Sequence, residues 1–574
     1  MNWLLHGIVD LFNALAAWYY RRKFGAAARQ LGRLPEEGDG QRGFIIVEID
    51  GLAYEYLRQA IRQGHVPYLA RLLRERTLRL GRWRCGLPST TPASQAGILY
   101  GNNWDIPGFR WYDKETQDSI MCKLPGSVHE IQERIAEGRV GLLKGGSSYT
   151  NMFDGDARLA LFTLSAMGRH RLLENVRGLG FLILFALSPV RVLKIVVLSL
   201  ATWLVYVAKR MLSWLRVRPR RAHFTFLGPL LEIFNNVVFR EVTTFSVLLD
   251  IYRGMPSIYA AYTGYDEIAH HFGADSSEAL RALRGIDKQI RQIDRARQFD
   301  IRRQYDLYIL SDHGMTPSVP FHRAFGQTLE ELVASHTGQD VATGVGEESE
   351  GLPETRAQFL LDEIRGLESR PQAALPARAL RATRRRLEAL LQDESPESGW
   401  DLSRRGDIAI RSSGSLAHLY LSVTHRQMDL SEIALLYPSL LDALVAHEGI
   451  GLVAGREGDG VVILGKKGTL WVGPEGKHQE GSHPLNWLSY PDWATEQVAR
   501  VVRFPHAGDL VLLGAWAGDR VISFEDQVST HGGLGGAQDW PFIAYPVEQR
   551  LMPQTIENSE EVYTRLRGLY SNGA

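Results

Sequence analysis

Three short apolar runs in this chain each end in an acidic residue, and that repetition constrains the fold more than any other feature. Residues 44–49 run directly into Asp50-Gly51, residues 257–263 into Gly264-Tyr265-Asp266, and residues 305–310 into Ser311-Asp312-His313-Gly314. A short, mostly apolar run of this kind, without regular polar alternation, reads as a strand buried on both faces, as in a parallel sheet. Residues 54–75 read as a helix broken near Gly64. Strands alternating with helices predict an α/β fold, a doubly wound and mostly parallel sheet with helices on both faces. Ligands of such sheets sit beyond the carboxyl ends of the strands, which is where all three acidic residues are delivered.

The rest of the chain divides coarsely. Residues 1–40 read as an amphipathic or membrane anchor and 41–151 as the first part of the core. An insertion with an apolar helical hairpin is expected over 152–245, and core again over 246–335. A charged helical insertion is expected over 336–400, rich in Ala, Arg and Glu, and the last part of the core, with a small β meander, over 401–574. The formal charges cancel, 65 Lys and Arg against 65 Asp and Glu, so no basic field points to a nucleic-acid partner. Cys85 and Cys122 are the only cysteines, too few for a disulfide framework and without zinc-finger spacing.

Two segments suggest membrane contact. Residues 178–190 and 195–208 are uncharged, with Arg191 and Lys194 between them, and each is shorter than the roughly 18–20 residues of a spanning helix. A re-entrant or interfacial hairpin is expected, a buried soluble hairpin being the alternative. Trp203, Tyr206 and Trp214 resemble interfacial anchors. The basic cluster from Lys209 to Arg221 suits anionic headgroups, which makes membrane lipids an expected partner. Near the start, Trp3, Leu4, Ile8, Leu11, Phe12, Leu15, Trp18 and Tyr19 recur at helical spacing ahead of Arg21-Arg22-Lys23, the reverse of a cleaved secretory signal. Basic flanks favour a membrane-associated protein whose catalytic part is cytoplasmic.

Chemistry gathers in five segments: Asp50, Thr90 in Ser89-Thr90-Thr91-Pro92, Asp266 with His270, Asp312-His313-Gly314, and His531 in Thr530-His531-Gly532-Gly533. Taken singly, each has an ordinary structural reading; a strand-terminal Asp often caps the next helix. Together, three carboxylates and three imidazoles match two divalent-metal sites with a hydroxyl nucleophile between them. Asp266 and His270, four apart, share a helix face, and His271 points elsewhere. The glycines after His531 allow the backbone to approach the site closely.

In order and spacing these motifs resemble the alkaline phosphatase superfamily, most closely its type I phosphodiesterases and nucleotide pyrophosphatases, over residues 50–531. The resemblance implies one metal held by Asp266, His270 and His531, a second by Asp50, Asp312 and His313, and Thr90 as a nucleophile touching the second. Thr91 lies one residue off the family position and ranks behind Thr90. The resemblance departs at Ala93, where nucleotide pyrophosphatases carry an Asn that binds a phosphate oxygen. Ser94, Asn102 and Asn103 are the candidate replacements for substrate binding. Trp104, Phe109, Trp111 and Tyr112 could form a stacking wall or simply be core.

Carboxylate and imidazole ligands suit zinc, or manganese, and three protein ligands per metal leave a position for substrate. A Thr hydroxyl needs a metal to become nucleophilic at neutral pH. The expected reaction is therefore hydrolysis of a phosphoester, a nucleotide or a lipid headgroup, through a phospho-threonine that a metal-activated water releases. A phosphomonoesterase, phosphomutase or headgroup transferase would use the same metals. A membrane-tethered binding or scaffold protein with structural metals is the alternative of another class.

Overall fold

A computed structural model describes residues 42–167, 238–298, 303–339, 341–343 and 408–570, together with Ser199 and Trp203. Seven strands form the central sheet: β1 (Gly43–Ile49), β2 (Leu78–Arg82), β3 (Ser147–Tyr149), β4 (Leu159–Leu161), β5 (Ser257–Tyr262), β6 (Tyr305–Leu310) and β7 (Phe542–Pro546). Their spatial order is β2-β7-β6-β1-β5-β3-β4. The five strands from β6 to β4 are parallel, and β7 and β2 add an antiparallel edge. All seven residues of β1 are buried, Glu48 among them with hydrogen bonds to Gln95 and Tyr259, which accounts for its almost wholly apolar run.

Helices cover both faces. On one face the side chains of Ile45, Val47 and Ile49 pack with α2 (Arg240–Arg253), α3 (Gly264–Phe272) and α4 (Ser277–Arg297). On the other, Phe44 and Ile46 pack with α1 (Thr91–Tyr100) and α5 (Ser559–Tyr570). The alternation of β1 residues between two cores is the period of two of any strand, here with both faces dry. The predicted break near Gly64 falls between helices Tyr54–Arg62 and Pro67–Arg74.

The late β region is larger than a small meander. Residues 450–481 supply four antiparallel strands of an eight-stranded sheet that also takes Val341–Thr343, Ile408–Ser413, Leu416–Leu421 and Leu510–Gly514. Its first strands were not legible because their partners lie far along the chain. The insertion boundaries also shift: β4 lies in the core sheet and α2 against it, although both start within residues 152–245. A three-residue strand carries too little pattern to announce itself. Cys85 and Cys122 are free and buried.

The N-terminal anchor, the apolar hairpin with its basic cluster, and nearly all of the charged insertion lie outside the described residues. Trp203 is described and is 38% exposed. Among the described residues no helix is long and apolar enough to cross a membrane.

Candidate active site

Five segments converge beyond the carboxyl edge of the sheet. Asp50 follows β1 directly, Asp312 and His313 lie just past β6, Asp266 and His270 are on α3 after β5, and His531 comes from the loop before β7. All six are buried, none more than 4% exposed. The turn at Gly51 is what admits Asp266: φ there is +70°, and a Cβ would stand 2.1 Å from Asp266 Oδ1. Only glycine combines that backbone with that approach. The Gly51 amide also donates to Asp312 Oδ1 at 3.3 Å.

Each imidazole has its Nδ1 on a backbone carbonyl. His270 Nδ1 lies 2.9 Å from Ser529 O, His313 Nδ1 3.0 Å from Gly314 O, and His531 Nδ1 2.9 Å from Ser89 O. A carbonyl can only accept, so Nδ1 carries the proton and, in the neutral ring, Nε2 is left as a lone pair. Those Nε2 atoms face one another and the carboxylates. His270 Nε2 is 3.2 Å from His531 Nε2 and 3.3 Å from Asp266 Oδ2, and His531 Nε2 is 4.0 Å from Asp266 Oδ1. His313 Nε2 is 3.4 Å from Asp312 Oδ2 and 3.6 Å from Asp50 Oδ1. Lone pairs pointing at lone pairs repel unless a cation or proton lies among them.

Two three-residue groups could hold a metal ion, Asp50/Asp312/His313 and Asp266/His313/His531. His313 thus belongs to both, its ring stacked on His531 at 3.9 Å between centroids, where the family resemblance gave it to one site alone. His270 completes the second group through its contacts to Asp266 and His531. The set fits two hard or borderline divalent cations. Asp266 Oδ1, Asp312 Oδ2 and Thr90 Oγ1 are buried without a hydrogen-bond partner, the unsatisfied state that an ion would relieve.

The electrostatics agree. Burial would raise the Asp266 carboxyl, but His270, then His531 and His313, hold it below the usual range. Burial, then His313, pushes His531 well below an ordinary imidazole, so it stays neutral and able to ligate. Burial raises Asp312, with His313 opposing.

The two threonines divide the possibilities. Thr90 is the N-cap of α1, a position where a hydroxyl normally accepts from the first turn, yet it makes no capping bond. Thr91 instead places its hydroxyl in the ligand set, 3.3 Å from Asp50 Oδ1 and 3.1 Å from His313 Nε2. Nothing in the spacing distinguished the neighbours; only the helix start does.

Asn102 and Asn103 are engaged elsewhere. Asn102 donates to Ile135 O, and Asn103 bonds Asn558, Ser559 and Arg500. Both amides tie helices together, so the candidate replacement left near Thr90 is Ser94, whose Oγ is buried without a partner. Phe109, Trp111 and Tyr112 are core, while Trp104 is 43% exposed. Ser89 has a role the sequence did not signal. Its backbone pairs with Gly532 in both directions, and its hydroxyl donates to Gly533 O at 2.8 Å, clamping the His531 loop to the segment that begins α1.

The site is thus a set of buried Asp and His groups at the carboxyl edge of a mostly parallel α/β sheet. More particularly, residues 217–412, about a third of the chain, match the model of the type I phosphodiesterase / nucleotide pyrophosphatase family. The matched stretch holds Asp266, His270, Asp312 and His313; Asp50, Thr90 and His531 fall outside it. No curated protein matches the chain. Among solved structures, phosphonoacetate hydrolase from Sinorhizobium meliloti 1021 in complex with phosphonoacetate is similar at 15% identity and a TM-score of 0.42, covering 92% of this chain and 96% of that one. Murine ectonucleotide pyrophosphatase / phosphodiesterase 5 is similar at 11% identity and a TM-score of 0.43, covering 92% and 95%.

Proposed function

We propose that the chain is a two-metal phosphodiesterase with a threonine nucleophile. The observation that carries this reading is the inward-facing set of Nε2 and carboxylate atoms beside the uncommitted Thr90 hydroxyl. Asp266, His270 and His531 would hold one ion and Asp50, Asp312 and His313 the other, with His313 close to both. Zinc or manganese bound there would supply Lewis acidity and bring the threonine hydroxyl into its nucleophilic form.

Thr90 Oγ1 then attacks phosphorus, the bond to the leaving alcohol breaks, and that alcohol takes up a proton. The phosphoryl group rests on Thr90 until water attacks phosphorus, the P–O bond to Thr90 breaks, and the hydroxyl regains its proton. Thr90 starts α1, and a helix N-terminus favours the anionic phosphate before and after transfer. The second reading makes Thr91 the nucleophile, supported by its hydroxyl lying on Asp50 and His313. Under the first reading that contact positions the ligands.

The test compares a bis-aryl phosphodiester with a mono-aryl phosphate in zinc or manganese, for wild type, Thr90→Ala and Thr91→Ala. Diester turnover lost by at least 10³-fold in Thr90→Ala alone, with phosphate trapped on residue 90 by tandem mass spectrometry, is the expected outcome; an order of loss on that scale follows removal of a covalent nucleophile. Loss confined to Thr91→Ala selects the second reading. Monoester preference would redirect the assignment to phosphatase or mutase chemistry, and no turnover with metal still bound would favour a binding role.

The natural ester is proposed to be a nucleotide or a lipid headgroup, at a membrane surface reached through residues 1–25 and 178–221. That localisation rests on sequence alone. It fails if a chain lacking both segments still sediments with vesicles containing anionic lipid.

A further inference from the structure

His270 and His531 are distant in the chain, yet one short arm, residues 525–531, touches the first and ends in the second. The Val528 amide donates to His270 O at 2.9 Å, and Ser529 O is the acceptor of His270 Nδ1. Ser529 Oγ accepts the Ala274 amide at 3.1 Å, just past the end of α3. Where this arm lies therefore decides where two imidazoles of one ligand group point.

A single carboxylate stands at the root of the arm. Glu525 Oε1 accepts from Arg110 Nη2 at 2.5 Å, in an ion pair largely withdrawn from water. Its Oε2 accepts twice, from the Gly414 amide and from Gln527 Nε2, each at 3.0 Å. Both of these bonds lead on to His531. Gly414 and Ser415 form the turn between strands Ile408–Ser413 and Leu416–Leu421. Gly414 O accepts the Phe524 amide at 2.8 Å, and the Ser415 amide donates to His531 O at 3.3 Å. The fit there is close: φ at Gly414 is +64°, and a Cβ would stand 2.0 Å from His531 O. On the other route Gln527 Oε1 accepts from Thr530 Oγ1 at 2.6 Å, one residue before His531.

We infer that Glu525 is a positioning residue for the Asp266/His270/His531 group, its carboxylate fixing the arm that aims both imidazoles. This rests on the metal-binding reading of that group. Three donors converge on Glu525, and a carboxylate, with two acceptor oxygens and no hydrogen of its own, can take them all. Its charge strengthens those bonds, and Arg110 offsets the cost of holding that charge away from water. Partners that orient a ligand imidazole typically alter metal affinity by roughly 10–100-fold when they are removed. Glu525 acts through such partners, so the lower end of that range is expected.

Full-length, chelator-dialysed protein is compared as wild type, Glu525→Ala and Glu525→Gln. Amide hydrogen exchange without metal should be faster across residues 525–532 in Glu525→Ala. Glu525→Gln, which keeps one acceptor oxygen, should recover part of the protection. Cobalt is then titrated and followed by its visible d–d absorption. In Glu525→Ala one ion should bind about tenfold more weakly with an altered band, and Glu525→Gln should again recover part of the difference. Gln527→Leu cuts the Thr530 route alone, should act in the same direction, and serves if Glu525→Ala does not fold. Lys114→Met breaks a separate buried pair, that of Lys114 with Asp509, and should leave the cobalt band unaltered.

Exchange indifferent to Glu525 and Gln527 overturns the proposal. So does cobalt binding that is unchanged despite faster exchange, or a cobalt band altered equally by Lys114→Met, since either makes the pair merely structural. A wild type that takes up no cobalt would sink the metal reading instead, and the exchange measurement would then decide alone whether Glu525 holds the arm.

Discussion

His418 shows how completely a buried residue can commit to one protonation state. Nε2 lies 2.9 Å from Pro107 O and Nδ1 accepts the Gly508 amide at 3.1 Å, so the neutral ring satisfies both partners. Burial lowers its pKa to about 4 from 6.5. Between those values the unfolded chain binds a proton that the native ring refuses. Stability is therefore full above pH 6.5 and falls as pH drops toward 4, by on the order of 3 kcal/mol from this group. Denaturant melts of His418→Gln should show a flatter pH dependence in that window than wild type; an identical slope would refute the assignment. Gln95 is the second case. It donates to Glu48 Oε1 at 2.6 Å and accepts the Met152 amide at 2.7 Å beneath the site. Gln95→Ala should cost about 1–3 kcal/mol, the penalty of buried groups left unpaired, read as a lower melting midpoint in urea.

At the level of elements, helix α1 is placed by its neighbour. A Cβ on Gly97 of α1 would stand 2.0 Å from Ser559 Oγ and 2.8 Å from the Glu560 amide nitrogen of α5. Gly97→Ala must push the helices apart, at a cost of about 1–3 kcal/mol. Because Thr90 and Thr91 begin that same helix, the displacement reaches the site. The expected result is a fall in kcat larger than any rise in KM, measured on the phosphodiester. Unchanged kcat in a folded variant would show that α1 moves independently of its first turn. Clamping by Ser89 is a related device, since it joins the segment before α1 to the loop of His531.

For the whole molecule, the ligand groups draw on residues from Asp50 to His531, so bound ions would cross-link the ends of the fold. An ion at 100-fold excess over its dissociation constant stabilises by about 2.7 kcal/mol. Chelation should accordingly lower Tm by several degrees, and Asp312→Asn should abolish most of that difference while leaving the apo protein folded. Equal Tm values with and without chelator would argue against the site.

Strand-end acids and the Asp-x-x-x-His and Asp-His-Gly spacings were readable in one dimension because each is local: a strand length, a helix turn, a glycine turn. The parallel sheet followed from those runs, as did the chemistry of the donor set. Sequence could not show that His313 faces both groups, that Thr91 touches Asp50, or that Asn102 and Asn103 serve packing. Each of these depends on contacts between residues distant in the chain. The sequence by itself determined which ligand atoms the protein possesses and at which edge they emerge. Only the tertiary structure decided how they share space, because neighbours along a chain constrain direction, whereas distance across a core is set by packing.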